Sequence, residues 1–234
     1  MNRLRAFAAF VKRTPLHPQW LLGRRRPPAG LAEFSGRVLD IGASDGWIQP
    51  HLPLAVEYFA LDFPPTGRDL YAARPDVFAD AAALPFSDAS FDGVICLEVL
   101  EHVVAPTKVA AEIARVLKPG GSAWISMPFL YPLHDAPFDF QRYTEYGLRR
   151  ALQESGLEVT SLCKSLHAVR NVGLLACLAI TGAIHARGGI GMMFLILPAI
   201  VLVVAINLAA WSLSLVWPDW SHFALGHDVQ VRKP

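Results

Sequence analysis

The stretch "VLDIGASDGW", residues 38–47, decides how the rest of the chain is interpreted. An apolar run is followed by small residues, a pattern that predicts a strand, a sharp turn and a helix. Gly42, Ser44 and Gly46 match the G-x-S-x-G elbow that carries the nucleophile of serine hydrolases, and they equally match a glycine-type loop that approaches a cofactor. The stretch by itself leaves both interpretations open.

The surrounding sequence favours one of these two interpretations. A hydrolase elbow needs an earlier strand for its oxyanion-hole loop, whereas most of the 36 residues before Arg37 are in basic or proline-rich segments. A nucleoside-binding loop needs an acidic residue about 20 positions on, at the end of the next strand. Asp62, in "EYFALDF", lies 20 residues after Gly42. Trp47 stands where a dinucleotide motif has its third glycine and is too bulky for that role, so a nucleoside other than a nicotinamide dinucleotide is expected.

Charge is distributed unevenly along the 234 residues. The chain has 21 Lys and Arg against 20 Asp and Glu, a net charge of +1, so no nucleic-acid partner is expected. Seven of the basic residues lie in residues 1–30, which contain no acid, and the remainder therefore carries 14 basic and 20 acidic residues. This basic arm suits an anionic surface. Its first 13 residues indicate a basic amphipathic segment, with a disordered tail as the alternative.

Cysteine usage indicates a reducing compartment. Cys96, Cys163 and Cys177 form no C-x-x-C pair and lie in apolar surroundings, which favours reduced, buried thiols over a disulfide framework or a zinc site. No metal site is predicted. The apolar run of residues 6–11 is too short for the core of a signal peptide.

Short apolar runs alternate with helix-like stretches from Arg37 to about residue 165, the pattern of an α/β domain with a mainly parallel sheet. Helices are clearest at 106–118, which begins with a proline and ends at "PGG", and at 145–155, which ends at Gly156. Strands are predicted near 37–41, 56–61, 76–79, 91–96, 121–127 and 157–163, with a last strand in "FALGHDVQVRKP".

Two stretches without Asp, Glu, Lys or Arg, residues 171–186 and 188–217, precede that last strand. They predict an apolar helical hairpin, with a first part of about 22 Å, short enough for a re-entrant or interfacial element, and a longer part that Pro198 could kink. Buried helices in a dimer interface are the alternative. The hairpin and the basic arm together predict a protein on the cytoplasmic face of a membrane, the cytoplasm being the alternative.

Four blocks, "VLDIGASDG", "YFALDF", "ADAAALPFSDASFDGVICLEVLEHV" and "EIARVLKPGGSAWISMPF", resemble the class I S-adenosylmethionine-dependent methyltransferases, in particular their small-molecule, type 11-like branch. The resemblance covers residues 37–163 and the terminal strand. It implies a Rossmann-like, doubly wound, mainly parallel seven-stranded sheet, here with the apolar hairpin inserted before the last strand. The expected organisation is a basic arm (1–30), a methyltransferase domain (31–170), the apolar insertion (171–217) and the final strand (218–234).

The resemblance also implies a cofactor site for S-adenosylmethionine. Gly42 and Gly46 would let the backbone approach the cofactor, and Ser44 stands where the family usually has a glycine. Asp40 would orient the amino-acid end of the cofactor, and Asp62 would accept from both ribose hydroxyls. The remaining expected contacts are Asp80 and Ala81 at the adenine and Leu97 at the end of the fourth strand. For the three aspartates, a turn cap, a solvated loop acid and a helix cap respectively are the structural alternatives.

Acceptor-side residues are expected at the carboxyl edge of the sheet. Glu98, Glu101 and His102 follow the fourth strand and, by resemblance, line the methionine side of the cofactor; a helix-start cluster of acids is the alternative. The segment "MPFLYPLHDAPFDFQRYT" follows the fifth strand and resembles the acceptor-side loop of lipid- and polysaccharide-associated members. If the acceptor arrives protonated, the candidate bases are His134, Asp135, Asp139 and Tyr143, with His134 and Tyr143 as the predicted catalytic residues. For each of the four, a structural hydrogen bonder is the alternative, and it is the more common role of such residues.

The sequence therefore predicts a methyltransferase that acts on a small or lipid-linked acceptor near a membrane. The second hypothesis is a binding protein that keeps the fold without turnover, which the departure at Ser44 favours.

Overall fold

One seven-stranded sheet forms the centre of the fold in the computed structural model, which describes residues 10–69 and 73–234. Its strands are β1 (Arg37–Ile41), β2 (Glu57–Asp62), β3 (Val77–Phe78), β4 (Phe91–Leu97), β5 (Leu117–Pro128), β6 (Glu158–Lys164) and β7 (Gly226–Arg232). The order across the sheet is β3-β2-β1-β4-β5-β7-β6, and β7 runs antiparallel to both its neighbours while the other pairings are parallel. The predicted doubly wound, mainly parallel sheet is confirmed. Most of the predicted amphipathic segment of residues 1–13 lies outside the described residues.

The central strands are apolar on both faces because helices and turns cover both sides. In β1, Leu39 and Ile41 join the main core cluster, and Val38, which directly precedes Leu39, points to a second cluster that also contains Trp124 of β5. This alternation follows from the two-residue period of a strand. Buried strands of this kind carry few polar residues, which makes Asp40 in β1 conspicuous.

Two amphipathic helices cover the face of the main core. They are α2 (Pro106–Val116) and α3 (Glu145–Glu154), which follow the short α1 (Pro64–Asp69). Proline at the first position starts α2, and the Thr144 side chain caps α3 by accepting from the Gly147 N–H at 3.2 Å. Their buried apolar residues, such as Ile113 and Leu152, point into that core. Both helices lie where the sequence predicts them.

The segment between β1 and β2 lacks the helix that the sequence predicts there. The sequence predicts a helix directly after the Gly42 loop, but the structure has a single 3-10 turn there, Gln49–His51, before β2 begins at Glu57. Pro50 sits inside this turn and Pro53 follows it, and proline lacks the N–H that a longer helix needs. The loop therefore has no helix dipole directed at it.

The chain divides into two compact units. The sheet and its helices belong to the unit made of Pro27–Phe129, Leu133–Lys164 and Gly226–Pro234. The other unit contains the described residues up to Arg26, Leu130–Pro132 and Ser165–Leu225.

The second unit is built around an antiparallel helical hairpin, α4 (Ala168–Arg187) and α5 (Ile190–Leu213), joined by Gly188 and Gly189. The insertion of an apolar hairpin before the last strand is confirmed. The first helix is longer than predicted, 20 residues or about 30 Å, because it begins at Ala168 and includes the charged Arg170. That length corrects the expectation of a short element. α5 continues through Pro198 as one helix of 24 residues.

Close contact at small residues holds the hairpin together. A Cβ added to Gly173 would lie 2.6 Å from the Cβ of Ala210, so the two helices approach closely there. Asn207 is fully buried on the same face of α5, and its amide nitrogen donates to the carbonyl oxygens of Pro15 (2.7 Å) and His17 (3.0 Å). The N-terminal segment is thereby fixed to the hairpin.

The opposite face of α5 is apolar and exposed. Phe194 is 79% exposed and Leu197 70%, and further large apolar side chains are exposed along the helix as far as Leu213. By length and composition, both helices are long and apolar enough to cross a membrane.

Candidate active site

The loop after β1 has the backbone of a tight cradle. Gly42 and Gly46 have φ of +75° and +67°, in the left-handed region that glycine enters without strain. A Cβ on Gly42 would lie 2.4 Å from Cγ2 of Val99, whereas a Cβ on Gly46 would meet nothing within 4 Å. The first glycine is required by packing within the protein, and the second faces open space that a ligand can fill.

Ser44 lies between these glycines and shares their backbone conformation, with a φ of +49°. A non-glycine residue is strained in this region. Its backbone N–H donates to Oδ2 of Asp62 at 2.9 Å. The loop is therefore tied to the acid at the end of β2.

Asp62 is a buried carboxylate with acceptor capacity to spare. It is 4% exposed, and each of its oxygens accepts one backbone N–H, from Ser44 and from Phe63. Burial raises the pKa of Asp62, and the two N–H donors oppose that shift. A carboxylate offers about four acceptor sites, so two remain for a vicinal diol.

Asp40 is buried next to this loop and is held by Tyr58 of β2, whose hydroxyl donates to Oδ2 at 2.6 Å. Burial raises the pKa of Asp40 to about 7, against the effect of the Tyr58 hydrogen bond. The tyrosine is a partner that the sequence analysis missed, although it lies on the adjoining strand directly beside β1.

The other predicted cofactor residues lie at the end of β4 or shortly after β3. Asp80 is exposed and accepts from the N–H of Ala82 at 2.8 Å, so it caps its own turn after β3. Ala81 is buried in the main core, and Leu97 is the last residue of β4. Their roles toward a cofactor remain predictions.

A second group of side chains forms where the turn after β4 meets the segment after β5. Glu101 is fully buried, and the Nε2 atoms of His102 and His134 lie 3.5 and 3.9 Å from its Oε1. The two imidazole rings pack edge to face, with centroids 4.8 Å apart. Residues 32 positions apart in the sequence are thus brought together, as their predicted place at one sheet edge implies.

Both histidines are oriented by hydrogen bonds at their other nitrogen. Nδ1 of His102 donates to the Phe138 carbonyl oxygen at 2.7 Å, and Nδ1 of His134 lies 3.1 Å from Oδ2 of Asp139. Asp139 is also bound by Arg142, whose side-chain hydrogen bond lowers the pKa of that carboxyl to about 2. An ionised Asp139 accepts a hydrogen bond from the Nδ1–H of His134, and the Phe138 carbonyl accepts one from the Nδ1–H of His102, so the Nε2 atom of each ring carries the lone pair and faces Glu101.

The backbone around this group is fixed by residues that the sequence analysis did not single out. The side chain of Gln141 donates to the carbonyl oxygens of Leu100 (2.7 Å) and Val103 (2.5 Å), which locks the turn that carries Glu101. Ser126 donates to Oε1 of Glu98 at 2.6 Å. Glutamine and serine give no pattern along the sequence that marks such contacts.

Glu98 and Asp135 have positive φ values of +55° and +48°. Non-glycine residues in this conformation are strained and are often found at functional sites. Tyr143, the other predicted catalytic residue, packs partly buried against the main core, and its catalytic role remains a prediction.

Comparison with known proteins identifies related domains. The model of a methyltransferase domain family matches residues 39–125. The demethylmenaquinone methyltransferase of Renibacterium salmoninarum is 40% identical over 121 residues, which cover 48% of this chain and 48% of that protein. The chain spans about half the length of the curated relatives that it matches first.

Solved structures share the fold. The [4+2]-cyclase SpnF superposes with a TM-score of 0.54 at 20% identity, covering 88% of this chain and 78% of that one. Phosphoethanolamine N-methyltransferase 2 of Haemonchus contortus, in complex with S-adenosyl-L-methionine, superposes with a TM-score of 0.54 at 16% identity, covering 97% of this chain and 60% of that one. At these identities the likeness concerns the fold alone.

Proposed function

This chain belongs to the class I S-adenosylmethionine-dependent methyltransferases, and we propose that it transfers a methyl group from S-adenosylmethionine to a lipophilic acceptor at a membrane surface. The observation that carries the proposal is the convergence, on one edge of the sheet, of the Gly42 loop with Asp62 and of the Glu101 group with its two oriented histidines. S-adenosylmethionine, when bound, supplies an electrophilic methyl group.

The residues of the first site fit the cofactor. Asp62 takes the ribose hydroxyls with its remaining acceptor sites, and the open space at Gly46 admits the ligand close to the backbone. Asp40, Asp80, Ala81 and Leu97 complete the proposed contacts. Ser44 contributes its backbone N–H to Asp62 rather than a nucleophile.

The second site receives the acceptor. Methyl transfer is an in-line displacement, so positioning contributes much of the rate, and a base is needed only for a protonated acceptor. Nε2 of His134 takes that proton, because Asp139 accepts a hydrogen bond from its Nδ1–H and stabilises the imidazolium that forms. Tyr143 is proposed as a secondary catalytic residue.

A lipophilic acceptor is supported by two observations. The relative named above is a demethylmenaquinone methyltransferase, and an isoprenoid quinone is a membrane-resident molecule. The hairpin of α4 and α5 exposes a continuous apolar face, which is unfavourable in water. We propose that this hairpin, together with the basic arm, associates with the cytoplasmic face of a membrane.

The connectivity restricts how the hairpin can enter the bilayer. The insertion leaves the sheet at Lys164 and returns at His227, and these two residues are paired on neighbouring strands. An even number of crossings is therefore required, so the hairpin crosses twice or lies in the interface. Helices of about 30 and 36 Å match a hydrocarbon core of about 30 Å.

Residues at the open end of the hairpin suit a lipid headgroup region. Trp20 packs against Trp211 near the end of α5, and Trp217 and Trp220 follow, both largely exposed. The exposed Arg24 and its two neighbouring arginines lie close to Trp20 in sequence. Tryptophan belts and cytoplasmic arginines are typical of this boundary.

Titration of the full chain with S-adenosylmethionine by calorimetry tests the cofactor site. We expect Asp62→Ala to weaken binding by about 1–3 kcal/mol, roughly 5- to 150-fold, because the ribose hydroxyls lose a charged acceptor. Glu57→Ala, at the opposite end of the same strand, is the matched control and should bind normally. Equal binding by both variants would overturn the assignment.

Transfer itself is tested with radiolabelled S-adenosylmethionine and membrane lipid extracts, with demethylmenaquinone as a defined acceptor. Label in an extractable lipid supports the proposal. Tight cofactor binding with no label in lipid, small-molecule or glycan fractions would favour the second hypothesis, a non-catalytic binding protein on the same fold.

A further inference from the structure

The carboxylate of Glu101 has no hydrogen-bond partner at either oxygen, although its side chain is fully buried. Such a group is costly, because an unsatisfied buried acceptor loses its water without replacement. Unpaired buried polar groups in folded proteins commonly mark a missing water or ion. Something positively charged or proton-donating is therefore expected at this carboxylate.

The groups that face Glu101 are arranged as metal ligands. One ligand atom each from Glu101, His102 and His134 lie within 4.8 Å of one another, and the two Nε2 atoms are 3.5 and 3.9 Å from the same Oε1. Two ligands bound at about 2.1 Å to one tetrahedral ion lie about 3.4 Å apart, so small side-chain adjustments would bring all three into contact with an ion.

The hydrogen bonds behind the imidazoles match those of metal-binding histidines. A ligating histidine usually donates its other ring N–H to a carboxylate or a backbone carbonyl, which fixes the ring and exposes the lone pair. Asp139 provides the carboxylate for His134, and the Phe138 carbonyl serves His102. Both rings are thus held ready before any ion binds.

We propose that Glu101, His102 and His134 bind one divalent first-row transition metal ion, of which Zn²⁺ is the probe of choice. One carboxylate and two imidazoles are a donor set that these ions prefer, whereas Mg²⁺ and Ca²⁺ prefer oxygen ligands. Three protein ligands leave at least one coordination position open to an oxygen of water or acceptor.

The metal site itself is independent of the proposed function. Only its effect on methyl transfer rests on that function. An ion at this site occupies Nε2 of His134, so this histidine cannot then act as the base. The ion would instead lower the pKa of an acceptor hydroxyl bound to it, and the proton would pass to solvent. Methyl transfer to an oxygen would thereby become dependent on the metal.

Metal binding is measured on the full chain after treatment with a chelator, first with Zn²⁺ and elemental analysis, then with Co²⁺, whose visible absorption reports coordination. We expect one ion per chain and a Co²⁺ spectrum of low coordination number. Glu101→Gln, His102→Ala and His134→Ala should each weaken binding at least 100-fold, and Asp139→Asn by 10- to 100-fold because His134 loses its orientation.

His185→Ala, an exposed histidine of α4, is the control and should keep full binding. Thermal unfolding followed by circular dichroism shows that each variant is folded. S-adenosylmethionine binding by the unsubstituted chain, measured separately, distinguishes failure of the metal site from failure of the proposed function. Sub-stoichiometric binding, or stoichiometric binding that survives both histidine substitutions, would overturn the proposal.

Discussion

Asp40 is an acid in the middle of a buried strand, and its ionisation should affect stability. Its pKa is about 7 in the folded protein against 3.8 as the ordinary value, because burial disfavours the charged form. Between these two pH values the folded protein holds a proton that the unfolded chain has released. The free energy of unfolding must therefore fall as pH rises through this window and become constant, for this group, above about pH 7.

Asp40→Asn removes this dependence while keeping an oxygen that accepts from Tyr58. We expect the variant to be about as stable as the wild type at pH 4 and about 2–4 kcal/mol more stable at pH 8, since one pKa unit corresponds to about 1.4 kcal/mol. Denaturant unfolding at pH 4, 6 and 8 measures the difference. A stability difference between the two proteins that does not change with pH would contradict the raised pKa.

The proposed cofactor residues could be predicted from the sequence more fully than the arrangement of the proposed acceptor residues, and the reason lies in their spacing. Gly42, Gly46 and Asp62 are placed by one strand–loop–strand unit, so a short sequence pattern contains them all. The pairing of Glu101 with His134 depends on how a segment after β5 folds back on a turn after β4. Periodicity gives the strand ends, but it does not give the direction in which an imidazole points.

The positions of α2 and α3 could be predicted because each helix has a proline or a cap at its start and a strong apolar face. The helix expected after the Gly42 loop was wrong because Pro50 and Pro53 lie inside the segment. The start of α4 was placed too late because charged Arg170 was treated as a boundary. Its side chain donates to Ser214 at 2.7 Å, which accommodates the charge within the hairpin.

Packing between α4 and α5 gives a prediction for two glycines of one helix. In Gly173→Ala the new methyl group would lie 2.6 Å from Cβ of Ala210 and 2.9 Å from Cδ1 of Leu21, so the helices must separate. We expect a loss of about 1–3 kcal/mol, typical of an overpacked contact.

Gly182→Ala is the matched control, because its Cβ would meet nothing within 4 Å. It should stabilise the helix by about 0.5–1 kcal/mol through alanine's higher helix propensity. Thermal unfolding of both variants in the same detergent, followed by helical circular dichroism, compares them. If the two substitutions shift the transition in the same direction, the close helix contact at Gly173 is not formed.

The apolar hairpin is an insertion whose two ends lie on neighbouring strands of one sheet. Lys164 and His227 are paired neighbours, so the sheet can close without the insertion through a short turn. The hairpin and the cofactor site can therefore be tested independently.

The test replaces residues 166–224 with a short Gly/Ser linker and compares this variant with the full chain. We expect the full chain to float with anionic vesicles in a density gradient and to resist extraction by alkaline carbonate, because α4 and α5, with 20 and 24 residues, are mainly apolar and of bilayer length. The linker variant should stay in the aqueous fraction and still bind S-adenosylmethionine within about threefold, as every proposed cofactor residue is retained. Neutral vesicles provide the control for the basic arm, and flotation with them should be weaker but not lost. A full chain that is soluble without detergent and elutes as a dimer would instead assign the exposed face of α5 to an interface between two copies.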